Sequence, residues 1–506
     1  MALCIMSTLP HDSRGITYKE EEELSREFLA LVAGRFTFIK DPLIEGYVNE
    51  IGDRILKEVP TQPFQYHFYV IKEDVYNAFA TPAGHIFIHS GLLEAVKTEE
   101  EIAGIIGHEI AHVVCRHISQ NIDRAPKISL ATLAGVAAGI FLGASGAGDV
   151  GSALVLGSMA AGQSAMLAYS REDELQADQL GLMYLYNSGY GGEGLLTSLK
   201  TIRSKQWFGT EQVPNYLMTH PASEDRMANI DVWLESNQLP ESKRFHPDPE
   251  AFHMMQATLT GKYGNESAAL KRFEARLRTA PEDPIANYGY ALVLARVGRR
   301  PEAIDHFLKA LEKKALNPNI LGELGRVYFQ EGEYDKALRL LESAVSMGPS
   351  DPDAMFFLGR TRLELEQYEK AAEILQKLVE KHPDFTDAYY FLGTAHGKLG
   401  NMADAHYNLG VFYARKGKLK SAAHHLERAG ELTADPKRQA AVEKLLEDVK
   451  QRKACHLYTS PSPRDIEVQH ECRLRLENNG GGGGGVGGGR GGGGRGGGGG
   501  GGGGGG

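Results

Sequence analysis

The sequence predicts a mainly α protein in two parts: an α+β domain with a small sheet, followed by an α-helical repeat solenoid. Three observations predict this. His108, Glu109 and His112 form a His-Glu-x-x-His pattern inside an apolar-periodic run, preceded by two β-favouring segments. Small residues recur every 34 positions from Ala257 to Gly393. Between these regions, residues 236–250 have the Pro-rich polar composition of a linker. At ~150 residues per domain, a chain of 506 residues also needs more than one core.

Residues 17–58 read as two amphipathic helices, the first opened by Thr17 and the acidic run Glu20 to Glu23. "FQYHFYVIK" (64–72) and "GHIFIHSGLL" (84–93) read as two strands of a small sheet, separated by the turn-like "TPAG". Residues 84 to 89 are expected to form an edge strand on which an extended substrate pairs, making Gly84, His85, Ile86, Phe87 and Ile88 the substrate-binding residues. Thr98 and Glu101 form a capping-box pattern that opens the helix carrying His108 and His112. Two Gly/Ala-rich stretches, 128–144 and 151–168, predict a buried or membrane-facing hairpin with peripheral membrane contact. The first is short for a span and the second carries Ser152, Ser158, Gln163 and Ser164.

The resulting partition leaves 1–14 unassigned and places the first domain at 15–235, the linker at 236–250 and the repeats at 251–450. Residues 451–506 lack periodicity and turn almost wholly to glycine from Gly480, so they cannot bury a core; they read as a disordered, artefactual tail. Residues 1–15 have no basic n-region or sustained apolar run, so no complete signal peptide is visible. A net charge of -10 argues against a nucleic-acid partner and favours protein partners. Cys4, Cys115, Cys455 and Cys472 are scattered without Cys-x-x-Cys spacing, which indicates neither a disulfide framework nor a thiolate zinc site. Cys115 reads as a packed residue.

On a helix, His108 and His112 lie on one face and can aim at one ion, with Glu109 beside them to reach its water. A catalytic zinc needs a third protein ligand and an open fourth position. Cys115 and Ile118 stand where a metzincin needs glycine and histidine, which excludes that branch. Glu174 and Asp178 share another helical face; one can bind the ion while the other orients a histidine, although a solvated acidic helix start explains them equally well. His117 reads as a surface histidine, and His85 and His89 as strand residues, one facing the cleft.

His108-Glu109-x-x-His112, Glu174-x-x-Ala177-Asp178, and "THPASEDRM" with His220, Pro221 and Arg226 resemble the HtpX/BepA-type zinc metallopeptidases, relatives of the CAAX prenyl endopeptidases. "NAFATPAGHIFIHSGLL" (77–93) is similar to the segment before that family's metal helix. The small residues Ala257, Ala291, Gly325, Gly359 and Gly393, each followed twelve positions later by alanine, resemble tetratricopeptide repeats. A further Gly410, Tyr413, Ala422 set follows Gly393 by half a period, leaving the last register open.

The resemblance implies a zincin-like fold with one Zn2+ per chain, ligated by His108, His112 and Glu174. It implies Glu109 as general base, Asp178 as an orienting carboxylate, and His220 and Arg226 at the active site. Peptidase plus repeats is similar to the BepA-like branch, which implies a periplasmic or membrane-associated endopeptidase of a Gram-negative bacterium. Its substrates would be misfolded or stalled envelope proteins, with partners held by the repeats. The alternatives are a repeat scaffold or chaperone with a silent zinc domain, and an intramembrane peptidase spanning the bilayer with 128–168.

Overall fold

The computed structural model describes residues 16–124, 169–207, 216, 220, 223–348 and 350–457. The expected hairpin at 128–168, residues 1–14 and residues 458–506 lie outside them, whereas 451–457, expected to be disordered, continue a helix. Among the described residues, no helix is long and apolar enough to cross a membrane. Contacts divide the chain into two compact units, Met1–His382 and Pro383–Gly506.

In the first unit, α1 (Tyr18–Arg35) is opened by a reciprocal box between Thr17 and Glu20, and α2 (Pro42–Leu56) by Asp41 with Pro42 in its first turn. The sheet has three strands: β1 (His67–Ile71), β2 (Ala78–Thr81) and β3 (His85–His89), in the order β1-β3-β2. β3 pairs parallel with β1 and antiparallel with β2, so it is central. This corrects the expected edge strand: the backbone groups of β3 are engaged on both sides, and Ile86, Phe87 and Ile88 lie in the core. Gly84 ends a tight turn before β3 at φ +83, and the His85 ring stacks on Tyr69 and His67. β2 is therefore the edge beside the next helices. The sequence reading missed it because its four residues are all buried and show no alternation.

The short α3 (Ser90–Ala95) leads to α4 (Glu99–Val114), nearly every residue of which is buried. Thr98 accepts the Glu101 N–H, while the Glu101 carboxylate accepts the N–H of Lys97 rather than that of the cap residue. After α5 (His117–Arg124) come α6 (Arg171–Asn187), α7 (Glu193–Trp207) and α8 (Glu224–Ser236). Helices α4 and α6 cross at glycines: a Cβ on Gly181 would stand 3.1 Å from the Gly107 carbonyl oxygen. Close backbone approach there sets the distance between the functional faces of the two helices.

Residues 237–248 include a short 3-10 turn, Glu241–Lys243, and Phe245 lies under the Arg54 guanidinium and against Tyr190. Helix pairs follow: α9 (Pro249–Tyr263) with α10 (Glu266–Thr279), α11 (Pro284–Arg296) with α12 (Arg300–Lys313), α13 (Pro318–Gln330) with α14 (Tyr334–Met347), and α15 (Pro352–Glu364) with α16 (Tyr368–Lys381). The 34-residue period sets a small residue of the first helix where a leucine of its partner packs: a Cβ on Gly325 would meet the Leu341 Cγ at 2.7 Å, and one on Gly359 the Leu375 Cγ at 2.6 Å. Helix α9 belongs to both cores, giving Phe252, Met255 and Leu259 to the α+β domain and Met254 and Ala257 to the repeats.

The second unit contains α17 (Thr386–Lys398), α18 (Met402–Arg415), α19 (Leu419–Leu432) and α20 (Pro436–Leu457). It resolves the open register. Helix α18 serves twice: Leu409 faces Gly393 of α17, and Gly410 faces Leu426 of α19.

Candidate metal centre

Helix α4 presents His108, Glu109 and His112, which are buried, and α6 presents Glu174 and Asp178, which are also buried. Ser170 caps α6 through a reciprocal box with Asp173, so Glu174 falls in the first turn, facing α4. A solvated acidic start is thereby excluded. His220 and Arg226, the latter from the first turn of α8, complete the cluster and are buried as well.

Ligand-type atoms of His108, His112, Glu174 and His220 all lie within 4.8 Å of one another. His108 Nε2 is 3.0 Å from His112 Nε2 and 3.4 Å from His220 Nδ1, and Glu174 Oε1 is 2.9 Å from His220 Nδ1 and 3.4 Å from His112 Nε2. Donors around a tetrahedral zinc, with bonds of about 2.0–2.1 Å, stand roughly 3.3 Å apart. The nitrogen and carboxylate donor set and its spacing therefore fit that ion. Glu109 adds a second sign of fit: both of its oxygens are buried without accepting a hydrogen bond, and the nearest ionic partner is His220 Nε2 at 3.6 Å. A carboxylate left so is costly unless something polar completes it.

Asp178 stands one turn behind Glu174. Its Oδ1 is 3.0 Å from His108 Nδ1, and it receives Arg226 Nε at 2.5 Å and Nη2 at 2.8 Å. Arg226 also pairs with Glu174 through Nη1. Burial raises the Glu109 carboxyl above its usual range, against the nearby histidines. Burial would do the same to Glu174 and Asp178, but His220 and Arg226 hold Glu174, and Arg226 holds Asp178, on the ionised side. Burial and Arg226 oppose a charged His108, yet its bonds to Asp178 and Glu174 raise it to about 9. Burial and the neighbouring His108 keep the His112 imidazole neutral.

Several residues escaped the sequence reading. Tyr169 stacks on His112 with ring centroids 3.7 Å apart, and Tyr216 stacks on His220 at 4.6 Å. The Tyr216 N–H donates to the Tyr76 carbonyl, just before β2, at 3.1 Å, tying the His220 segment to the sheet edge. No spacing rule flags a tyrosine in these places. His117 is a correction: it is buried, with Nδ1 2.9 Å from His112 Nδ1. The chain reverses at Arg116, a non-glycine residue at φ +55 that the periodicity could not announce. Of the remaining candidates, His85 to Ile88 lie in the central strand and Gly84 in the turn before it. Burial pushes the Cys115 thiol up to about 11, which fits a packed residue.

The family model of peptidase family M48 matches residues 42–234, and tetratricopeptide-repeat models match 255–318, 328–390 and 403–436. The beta-barrel assembly-enhancing protease of Escherichia coli is 26% identical over 313 residues, 61% of this chain and 61% of its own length. The putative counterpart in Vibrio cholerae is 28% identical, covering 55% of this chain and 57% of its own length. The mitochondrial metalloendopeptidase OMA1 of Arabidopsis thaliana is 30% identical over 31% of this chain and 29% of its own length. The match thus spans about three fifths of the first of these relatives. Two helices crossing at glycine, a His-Glu-x-x-His face and a family match over the same residues agree: residues 42–234 are a peptidase family M48 domain, which this chain carries together with tetratricopeptide repeats.

Proposed function

We propose that this chain is a zinc-dependent endopeptidase that hydrolyses peptide bonds of protein clients, with the repeats holding clients or partners. The observation that carries this reading is the convergence of four buried ligand atoms beside the unbonded Glu109 carboxylate. His108, His112 and Glu174 would hold one zinc ion, and His220 Nδ1 is placed to join them. When bound, zinc polarises the scissile carbonyl and lowers the pKa of water to roughly 7. Glu109 takes the proton of the attacking water and delivers it to the leaving amine. Asp178 holds His108 by its Nδ1, and Arg226 keeps Glu174 and Asp178 ionised and aimed.

Similarity to the beta-barrel assembly-enhancing proteases supports a place in the envelope of a Gram-negative bacterium, periplasmic or membrane-associated, with misfolded or stalled envelope proteins as clients. The test is bound zinc together with casein cleavage. Glu109→Gln should keep zinc and fold yet lose cleavage by ~10²–10⁴-fold, since an amide cannot take the proton. Undiminished cleavage in that variant removes Glu109 from the mechanism. A wild-type protein that binds zinc but cuts nothing would favour the scaffold reading.

The position of His220 favours a second, compatible reading, in which the enzyme is latent. Its Nδ1 lies among the ligand atoms, where an imidazole fills the position that substrate needs. As an oxyanion donor only, it would instead assist the reaction.

A further inference from the structure

We propose that His117 is a positioning residue that fixes the tautomer of His112, so that the Nε2 lone pair of His112 faces the metal centre. This inference rests on the zinc reading above. It starts from an asymmetry in the cluster. His108 and His112 both turn Nε2 inward, 3.0 Å apart, and both turn Nδ1 outward to a partner. The partner of His108 is the Asp178 carboxylate. The partner of His112 is another imidazole, His117 Nδ1, at 2.9 Å.

Hydrogen-bond chemistry then orders the protons. The far nitrogen of His117, Nε2, is 3.0 Å from Gln176 Oε1 and 3.8 Å from Asp173 Oδ1. A carboxylate and an amide oxygen only accept, so Nε2 of neutral His117 carries its proton and Nδ1 keeps a lone pair. That lone pair accepts the Nδ1–H of His112. One proton per neutral ring then leaves Nε2 of His112 bare, as a metal ligand must be.

Local structure holds His117 in place. Helix α4 ends at Cys115, Arg116 takes a left-handed conformation, and His117 starts α5 folded back over His112. Arg116 is kept there by Glu21 of α1, Nε to Oε1 at 2.7 Å, and by the Ile16 carbonyl at 2.5 Å. Tyr169 covers one face of the His112 ring.

The test is zinc affinity of the full chain by competition with a chelator, alongside the melting temperature of each metal-free variant. His117→Leu removes the acceptor and should weaken zinc by ~10–100-fold, the usual loss when a partner of a ligand histidine goes. His117→Asn, whose carbonyl oxygen can accept the same N–H, should recover most of that affinity. Gln176→Leu, on an exposed residue, should lower affinity by less, and it keeps the test open if His117→Leu does not fold. Long-range 15N spectra of the zinc-loaded wild type should show the proton of His112 on Nδ1. Wild-type affinity in folded His117→Leu, or equal losses in the Leu and Asn variants, overturns the proposal. Failure of the wild type to bind zinc at all would instead overturn the zinc reading.

Discussion

At the scale of residues, the centre assigns different work to two carboxylates of one helix turn. Glu174 joins the ligand atoms, whereas Asp178 turns to His108 Nδ1 and Arg226. Glu174→Gln should therefore weaken zinc binding more than Asp178→Asn, whose loss should stay within the ~10–100-fold typical of an orienting partner. A metal titration with the opposite order would reverse the assignment. For His220 the sign of the effect decides. If the imidazole blocks the metal, His220→Ala raises basal peptide cleavage at matched zinc occupancy; if it only stabilises the oxyanion, cleavage falls by roughly 100-fold or more. A fall with no gain on any substrate discards latency. The histidines and Glu109 were legible because i, i+4 spacing on a helix is a local property. The role of His117 was not, since it depends on a left-handed residue at Arg116 and on an α1 glutamate far away in the chain.

At the scale of elements, the sheet order moves the substrate-binding expectation from β3 to β2. Asn77 turns its carbonyl to His89 of β3, so in an antiparallel pair Tyr76, Ala78 and Ala80 turn theirs outward. The outward Tyr76 carbonyl already receives the Tyr216 N–H. Extended substrate is expected to pair along Ala78 and Ala80, beside the metal helix. Amide hydrogen exchange of Ala78 and Ala80 should slow when a peptide-like inhibitor binds, while the β3 amides stay unchanged. No protection in β2 would place the substrate on loops. The two strands read from aromatic and β-branched content were present, but their order comes from pairing partners that no local pattern encodes.

At the scale of the whole molecule, peptidase domain and first repeats are joined through buried polar links. Gln256 of α9 donates to the Leu93 and Val96 carbonyls at 2.9 and 2.8 Å, satisfying the end of α3. Lys262 bridges Asp41, the cap of α2, and Glu323 of α13, at 2.8 and 2.5 Å. Lys262→Ala should cost about 3–5 kcal/mol, because it leaves the buried Asp41 without its cation and Glu323 with Arg326 alone; a urea midpoint equal to wild type would contradict this. Burial would raise the Glu323 carboxyl, but Arg326 and Lys262 outweigh it and hold it at about 2, against an ordinary 4.5. Its pKa is thus depressed in the folded state, so its stabilisation is present above pH 4.5 and lost as pH falls towards 2. The urea midpoint should drop across that window, and less steeply in Lys262→Ala.

The sequence by itself determined the helix that carries His108, Glu109 and His112, the helical face shared by Glu174 and Asp178, and the 34-residue repeat, because each is written in spacing along the chain and the first also in the Thr98 cap. Only the tertiary structure decided that β3 is central, that α18 serves two repeat registers, that His117 turns inward, and that α9 belongs to both cores. Those outcomes depend on which distant backbones approach closely enough to pair, as at Gly107 and Gly181, and a close approach between segments far apart in the chain is a property of packing rather than of local pattern.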